Sequence, residues 1–175
     1  MANLNVGVFG AAGKMGATTC QAINSDDSMT LRLGVDSNQV GTLIPSTSLQ
    51  IERTVQSLAD IDVIVDFTVA EAAMENLKFA AQAGVHAVVG TSGINEEHLS
   101  ELTSLFTNSN CIVVPNFSIS AILLMHLSEI ATPYFSTIEI LEFHHNNKID
   151  APSGTALATA ERISRNLTED LRDPT

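Results

Sequence analysis

The sequence predicts an α/β fold: a doubly wound parallel sheet followed by part of a smaller α+β domain. Three observations carry that prediction. Short apolar runs alternate with helix-patterned segments over residues 4–115. The first run, Asn5-Val6-Gly7-Val8-Phe9, passes at once into Gly10-Ala11-Ala12-Gly13-Lys14-Met15-Gly16. The later runs, among them Ala87-Val88-Val89 and Ile112-Val113-Val114, are nearly continuous in apolar residues, as in strands covered on both faces.

The opening segment reads as strand (4–9), glycine turn and helix. Gly10 permits the tight turn, Gly13 lets backbone approach a pyrophosphate, and Gly16 lets the helix pack closely on the strand. This is the Rossmann-like pattern, in which the pyrophosphate sits on the helix N-terminus. A second strand is expected over 29–36. It ends in Asp36, about 20 residues past the last glycine, where an acid binds the adenosine ribose hydroxyls. An ordinary strand-end turn is the plain alternative for Asp36.

Residues 37–57 are turn-rich and carry no clear element. Further strands are expected near 62–67, 85–90 and 111–115. Thr68 and Glu71 read as a capping box for a helix running to about Ala83. Asn95 reads as the cap of the next helix, with Leu99, Leu102 and Phe106 on one stripe. Parallel sheets bind ligands at the carboxyl ends of their strands. Those exits hold Gly10 to Met15, Asp36, Thr68, Gly90-Thr91-Ser92 and Val114-Pro115-Asn116-Phe117. Each could be an ordinary turn, but together they mark one rim.

The pattern changes after Phe117. A mostly apolar helix is expected from Ser120 to about Phe135, then a sixth strand over Thr137–Phe143. A final helix, Gly154 to about Asn166, is expected to cover that strand. Residues 1–118 therefore read as a dinucleotide-binding domain and 119–175 as a partial substrate and oligomerisation domain. One strand and two helices are too few for a core of their own, so the chain reads as truncated.

Composition narrows the partners. The 175 residues are 45% hydrophobic, with a mean hydropathy of +0.19, as in a chain with a packed core. Runs such as Ala121-Ile122-Leu123-Leu124-Met125 are too short to span a bilayer, and no basic leader precedes the first strand. A cytoplasmic protein is inferred. The net charge of −12 argues against nucleic acid or an anionic membrane as partner. Cys20 and Cys111 have no metal or redox spacing and read as two buried reduced thiols. His86, His98 and His126 are scattered and read as caps, surface or packed residues, so no metal site is expected.

The densest chemistry lies in Glu142-Phe143-His144-His145-Asn146-Asn147-Lys148, followed by Asp150-Ala151-Pro152-Ser153-Gly154-Thr155. Histidine and lysine donate protons, and a helix start of small residues offers backbone N–H groups to a carboxylate. That combination suits a small acidic substrate. A surface loop before a helix cap is the plain alternative.

Taken together, these motifs resemble the 4-hydroxy-tetrahydrodipicolinate reductase (dihydrodipicolinate reductase) family of lysine and diaminopimelate synthesis. The resemblance covers essentially the whole chain and is most specific over 144–156. It implies NADH- or NADPH-dependent reduction of a small dicarboxylate. It implies that His144 and Lys148 form the acid–base pair, and that His145, Gly154 and Thr155 contact substrate. It implies dinucleotide contacts from residues 10–15, 90–92 and 114–117. The family is a homotetramer built through the sheet of its second domain, which closes onto the cofactor domain. Where many members carry an arginine, Ser37 follows Asp36. NADH is therefore the expected cofactor over NADPH, with Lys14 as a partial source of positive charge. Another NAD(P)-dependent dehydrogenase and a non-catalytic dinucleotide-binding fragment are the alternatives.

Overall fold

A computed structural model describes residues 3–144, 146 and 151–167. The backbone divides into two compact units, Met1–Pro115 and Asn116–Thr175. The first unit is built on five parallel strands: β1 (Leu4–Phe9), β2 (Met29–Val35), β3 (Val63–Asp66), β4 (His86–Val89) and β5 (Cys111–Val113). Their spatial order is β2-β1-β3-β4-β5. The direction of winding therefore reverses between β1 and β3, and a crevice opens there at the carboxyl ends. The predicted fold class holds. β5 is shorter than the predicted 111–115, because Pro115 has no N–H to continue a ladder.

Helices cover both faces. On one face α1 (Lys14–Asn24) buries Cys20 and Ile23 with Val6, Val8 and Leu31. On the other, α2 (Ala70–Gln82) buries Ala73, Met74, Leu77 and Ala80 against Phe9, Ile64 and Val89. Leu102 of α3 (Glu96–Leu105) joins that second core. Leu77 is fully buried, which is worth about 1.5–3 kcal/mol for a side chain of that size. Leu99, predicted on the same stripe as Leu102, is 42% exposed, at the margin of the helix–sheet contact.

β2 contains an irregularity. Val6 pairs with Leu31 but Gly7 pairs with Leu33, so Arg32 is an extra residue. Leu31 and Leu33, two apart, consequently join opposite cores. The turn-rich segment 37–57 also has a definite path. It folds back to bridge Val35 with Glu52, and it buries Ile44 and Ile51.

Two capping expectations part company. Asn95 caps α3 as predicted: its Oδ1 accepts the His98 N–H at 2.9 Å, and His98 Nδ1 accepts the Asn95 N–H at 3.2 Å. The box expected at Thr68 and Glu71 does not form. The Thr68 hydroxyl and N–H both donate to Asp66 Oδ1, at 2.6 and 2.8 Å, and Val69 takes the cap position of α2 with no side-chain bond. A buried carboxylate outcompetes a helix end for that hydroxyl. Glu71 still sits in the first turn, where the helix dipole favours an acid.

In the second unit, α4 (Ile119–Ala131) starts on Ser118, whose hydroxyl accepts the Ala121 N–H. It gives way at Thr132–Tyr134 to a single 3-10 turn containing Pro133, short of the predicted Phe135. The expected strand over Thr137–Phe143 is absent: no described residue pairs with this extended stretch. Alternating side chains alone do not make a strand, because the backbone groups need a ladder partner. α5 (Gly154–Arg165) therefore packs on α4 rather than on a sheet. Asn166 Nδ2 donates to Glu129 Oε1 at 3.3 Å across that contact.

Candidate active site

The parallel strands of the first unit bring their predicted exits, from Gly10 to Pro115, to one rim. A cleft of about 370 Å³ opens there, lined by Gly10, Gly13, Asp36, Thr68 and Asn76 among others. Gly10 has φ +77°, a conformation that L side chains rarely adopt, and a Cβ there would lie 2.9 Å from the Phe67 carbonyl. A Cβ on Gly16 would strike the Gly10 carbonyl oxygen and come within 2.9 Å of Ala11 Cα. Gly13 is the cap residue of α1 and has no side chain to fill the helix start. Among the described residues, the N–H groups of Lys14 and Met15 meet no acceptor. The turn is thus an open cradle of backbone donors, and it fits a dinucleotide pyrophosphate.

Asp36 stands at the neighbouring exit. Its Oδ2 accepts the Ala12 N–H at 3.0 Å and its Oδ1 accepts the Asn38 N–H at 2.8 Å. The acid is therefore tied to the glycine turn, which orients it toward the cleft. Ala11 is buried beneath that turn and Met15 is 43% exposed.

Asp66, at the end of β3, is fully buried and joins several exits. Besides Thr68, it accepts Asn76 Nδ2 at 2.8 Å and the Thr91 hydroxyl at 3.0 Å. The Gly90 N–H donates to its backbone carbonyl at 2.8 Å. Sequence reading passed over Asp66 as a site residue. The signal was present: an acid ending an apolar strand is buried only where donors surround it. Ser92, Val114 and Pro115 follow on the same edge, with the Val114 N–H donating to the Val89 carbonyl at 2.8 Å.

The second unit holds a separate cluster. Ser153 caps α5, its hydroxyl accepting the Ala156 N–H at 3.1 Å. Its own N–H donates to Glu142 Oε1 at 2.9 Å. The other oxygen of Glu142 lies 3.7 Å from His144 Nδ1, within ion-pair range. Glu142 thus ties His144 to the start of α5, a role the sequence reading did not assign. The i, i+2 spacing in an extended stretch was the available signal. The α5 start offers fewer donors than expected, because Ser153 fills one. The N–H groups of Gly154 and Thr155 have no acceptor among the described residues. Asn116 Nδ2 donates to the Thr155 hydroxyl at 3.3 Å, and Phe117 is 44% exposed. His145 and Lys148 lie outside the described residues.

The remaining titratable groups are bland. No group of three or more His, Cys, Asp or Glu able to hold a metal occurs among the described residues. His86 Nδ1 accepts the Asn110 N–H at 3.0 Å, and His126 lies 4.0 Å from Glu129. Cys20 is buried as predicted, but Cys111 is only half-buried, because β5 is the edge strand. Burial pushes both thiols up to about 11. No helix among the described residues is long and apolar enough to cross a membrane.

A parallel sheet with a reversal crevice, an uncapped glycine turn and an acid at the next exit defines a dinucleotide-binding α/β protein. Comparison with known proteins narrows the class. Residues 4–117 match the family profile "Dihydrodipicolinate reductase, N-terminus" and residues 120–174 match "Dihydrodipicolinate reductase, C-terminus". The chain belongs to the dihydrodipicolinate reductase family. It is 41% identical over 164 residues to a 4-hydroxy-tetrahydrodipicolinate reductase of Mycobacterium sp. (strain KMS), across 92% of this chain and 62% of that protein. It is 42% identical to the Moorella thermoacetica reductase, across 96% of this chain and 68% of that protein. A dipicolinate-bound dihydrodipicolinate reductase from Paenisporosarcina sp. TG-14 superposes with TM-score 0.79 at 32% identity, across 99% of this chain and 70% of that one. The chain therefore spans under two thirds of the length of the mycobacterial relative.

Proposed function

We propose that this protein reduces 4-hydroxy-tetrahydrodipicolinate to tetrahydrodipicolinate in lysine and diaminopimelate synthesis, with a nicotinamide dinucleotide. The supporting observation is membership of the family across both units, with the glycine cradle of the first unit intact. The two parts divide the task. Residues 1–118 hold the dinucleotide through Gly10 to Met15, Asp36, Thr68, Gly90 to Ser92 and Val114 to Phe117. Residues 119–175 hold the acidic substrate.

The bound dinucleotide supplies a hydride. Addition of hydride to a conjugated C=C–C=N substrate leaves negative charge on the ring, and His144 with Lys148 supplies the proton that quenches it. His145 contacts the substrate. The N–H groups of Gly154 and Thr155, with the Thr155 hydroxyl, hold a carboxylate at the start of α5. A small dicarboxylate is the substrate class, a reading supported by the dipicolinate carried by the Paenisporosarcina relative. NADH is preferred over NADPH, because Asp36 accepts ribose hydroxyls and repels a 2′-phosphate while Ser37 brings no charge. The protein works in the cytoplasm, as a homotetramer where a complete second domain is present.

The test is turnover with freshly generated substrate, followed by loss of NADH absorbance, using this chain and a longer version of it. Reduction that depends on the substrate supports the reading. A chain that binds NADH but oxidises none in either form is a dinucleotide-binding module instead.

A further inference from the structure

Arg53 lies in the stretch 37–57 that resisted reading from sequence, and it has no part in the scheme above. Two backbone bonds fix its place. The Glu52 N–H donates to the Gly34 carbonyl at 2.8 Å, and the Asp36 N–H donates to the Glu52 carbonyl at 2.9 Å. Val35 and Glu52 thus bridge in parallel. Arg53 follows Glu52 as Asp36 follows Val35, so the two residues run side by side, with backbones roughly 5 Å apart as in any parallel pair. Ile44 and Ile51, both buried, anchor the returning loop and hold this register.

Arg53 also lines the same cleft as Asp36, Ser37 and Asn38. Its guanidinium has no hydrogen-bond or ion-pair partner among the described residues. Asp36 forms no ion pair with it among the described residues; its partners are the Ala12 N–H and the N–H and side-chain amide of Asn38. An unengaged guanidinium at the ribose end of a dinucleotide cleft is matched in charge and fork geometry to a phosphate monoester.

We infer that Arg53 is a specificity-determining residue that receives the adenosine 2′-phosphate of NADPH. It supplies, from the loop that returns beside β2, the charge that Ser37 lacks. The inference rests on the dinucleotide reading of the cleft. It makes the protein one that prefers NADH yet accepts NADPH, with Arg53 offsetting the repulsion from Asp36.

Fluorescence titration of the 175-residue chain with NADH and with NADPH tests this. The readout is the ratio of the NADPH to the NADH dissociation constant, which partial unfolding does not change. Arg53→Ala should raise that ratio about 10- to 100-fold, the range for one charge-assisted contact. Arg53→Lys should raise it less, because the charge stays and the fork is lost. A ratio unchanged within about two-fold in Arg53→Ala overturns the inference, as does a larger rise in Lys14→Ala than in Arg53→Ala. A wild-type chain that binds neither dinucleotide removes the reading of the cleft itself, a result distinct from either.

Discussion

At the scale of single residues, the cofactor rim depends on positions where a side chain does not fit and on one buried acid. A Cβ on Gly13 would sit 3.2 Å from the Gly10 carbonyl oxygen, and the branches of a valine would extend into the cradle. Gly13→Val should weaken NADH binding at least about 10-fold with the fold preserved, since pyrophosphate and side chain compete for one space. Unchanged affinity in a folded variant would place the dinucleotide elsewhere. Asp66 meets neutral donors, and no ion pair to it occurs among the described residues. Asp66→Ala strands Thr68, Asn76 and Thr91, at about 1–3 kcal/mol for each donor left unpaired. Urea denaturation should show that loss, and a stability equal to wild type would mean water replaces the carboxylate. In the second unit, His144→Ala and Lys148→Ala should each lower turnover about 10²- to 10⁴-fold while NADH binding persists. Near-normal turnover in both would remove their proton role.

Elements form here where local signals and partners agree. α3 has its cap in Asn95, and Asn95→Ala should cost about 1 kcal/mol, read as a lower urea midpoint. Cys111, on the edge strand β5, packs half-buried against one core, and α1 closes the other core over Cys20. Burial disfavours the thiolate, which is why both thiols sit at about 11 rather than the ordinary 9.0. At pH 8 both should react slowly with iodoacetamide when folded and rapidly in urea. The same shift removes stability as pH climbs from about 9 toward 11, because the unfolded thiols ionise first. Fast labelling of the folded protein at pH 8 would show that these elements open readily.

The whole molecule sets a strongly acidic chain against an apolar face. Of α4 only Met125 is buried, while Ile119, Leu123, Leu124, Leu127 and Ile130 are each more than half exposed. Apolar surface so concentrated on one helix is a site of association. The chain should therefore self-associate as its concentration rises, and Leu124→Asp with Leu127→Asp should shift sedimentation toward the monomer. A wild-type chain that stays monomeric throughout would show that the face is not used between copies.

The sequence by itself determined the parallel sheet, the glycine cradle, Asp36 beside it and the helix opening at Ser153. Each of these depends on a period or a spacing within a few residues, which a linear reading detects. Tertiary structure decided the rest. Only pairing showed that Arg32 is an extra residue sending Leu31 and Leu33 to opposite faces. Only the buried Asp66 drew Thr68 away from its helix. Only the return of Glu52 to β2 set Arg53 beside Asp36, and only the lack of a ladder partner left Thr137–Phe143 unpaired. These outcomes depend on partners distant in sequence, and a hydrogen bond or a strand is settled by the group that answers it.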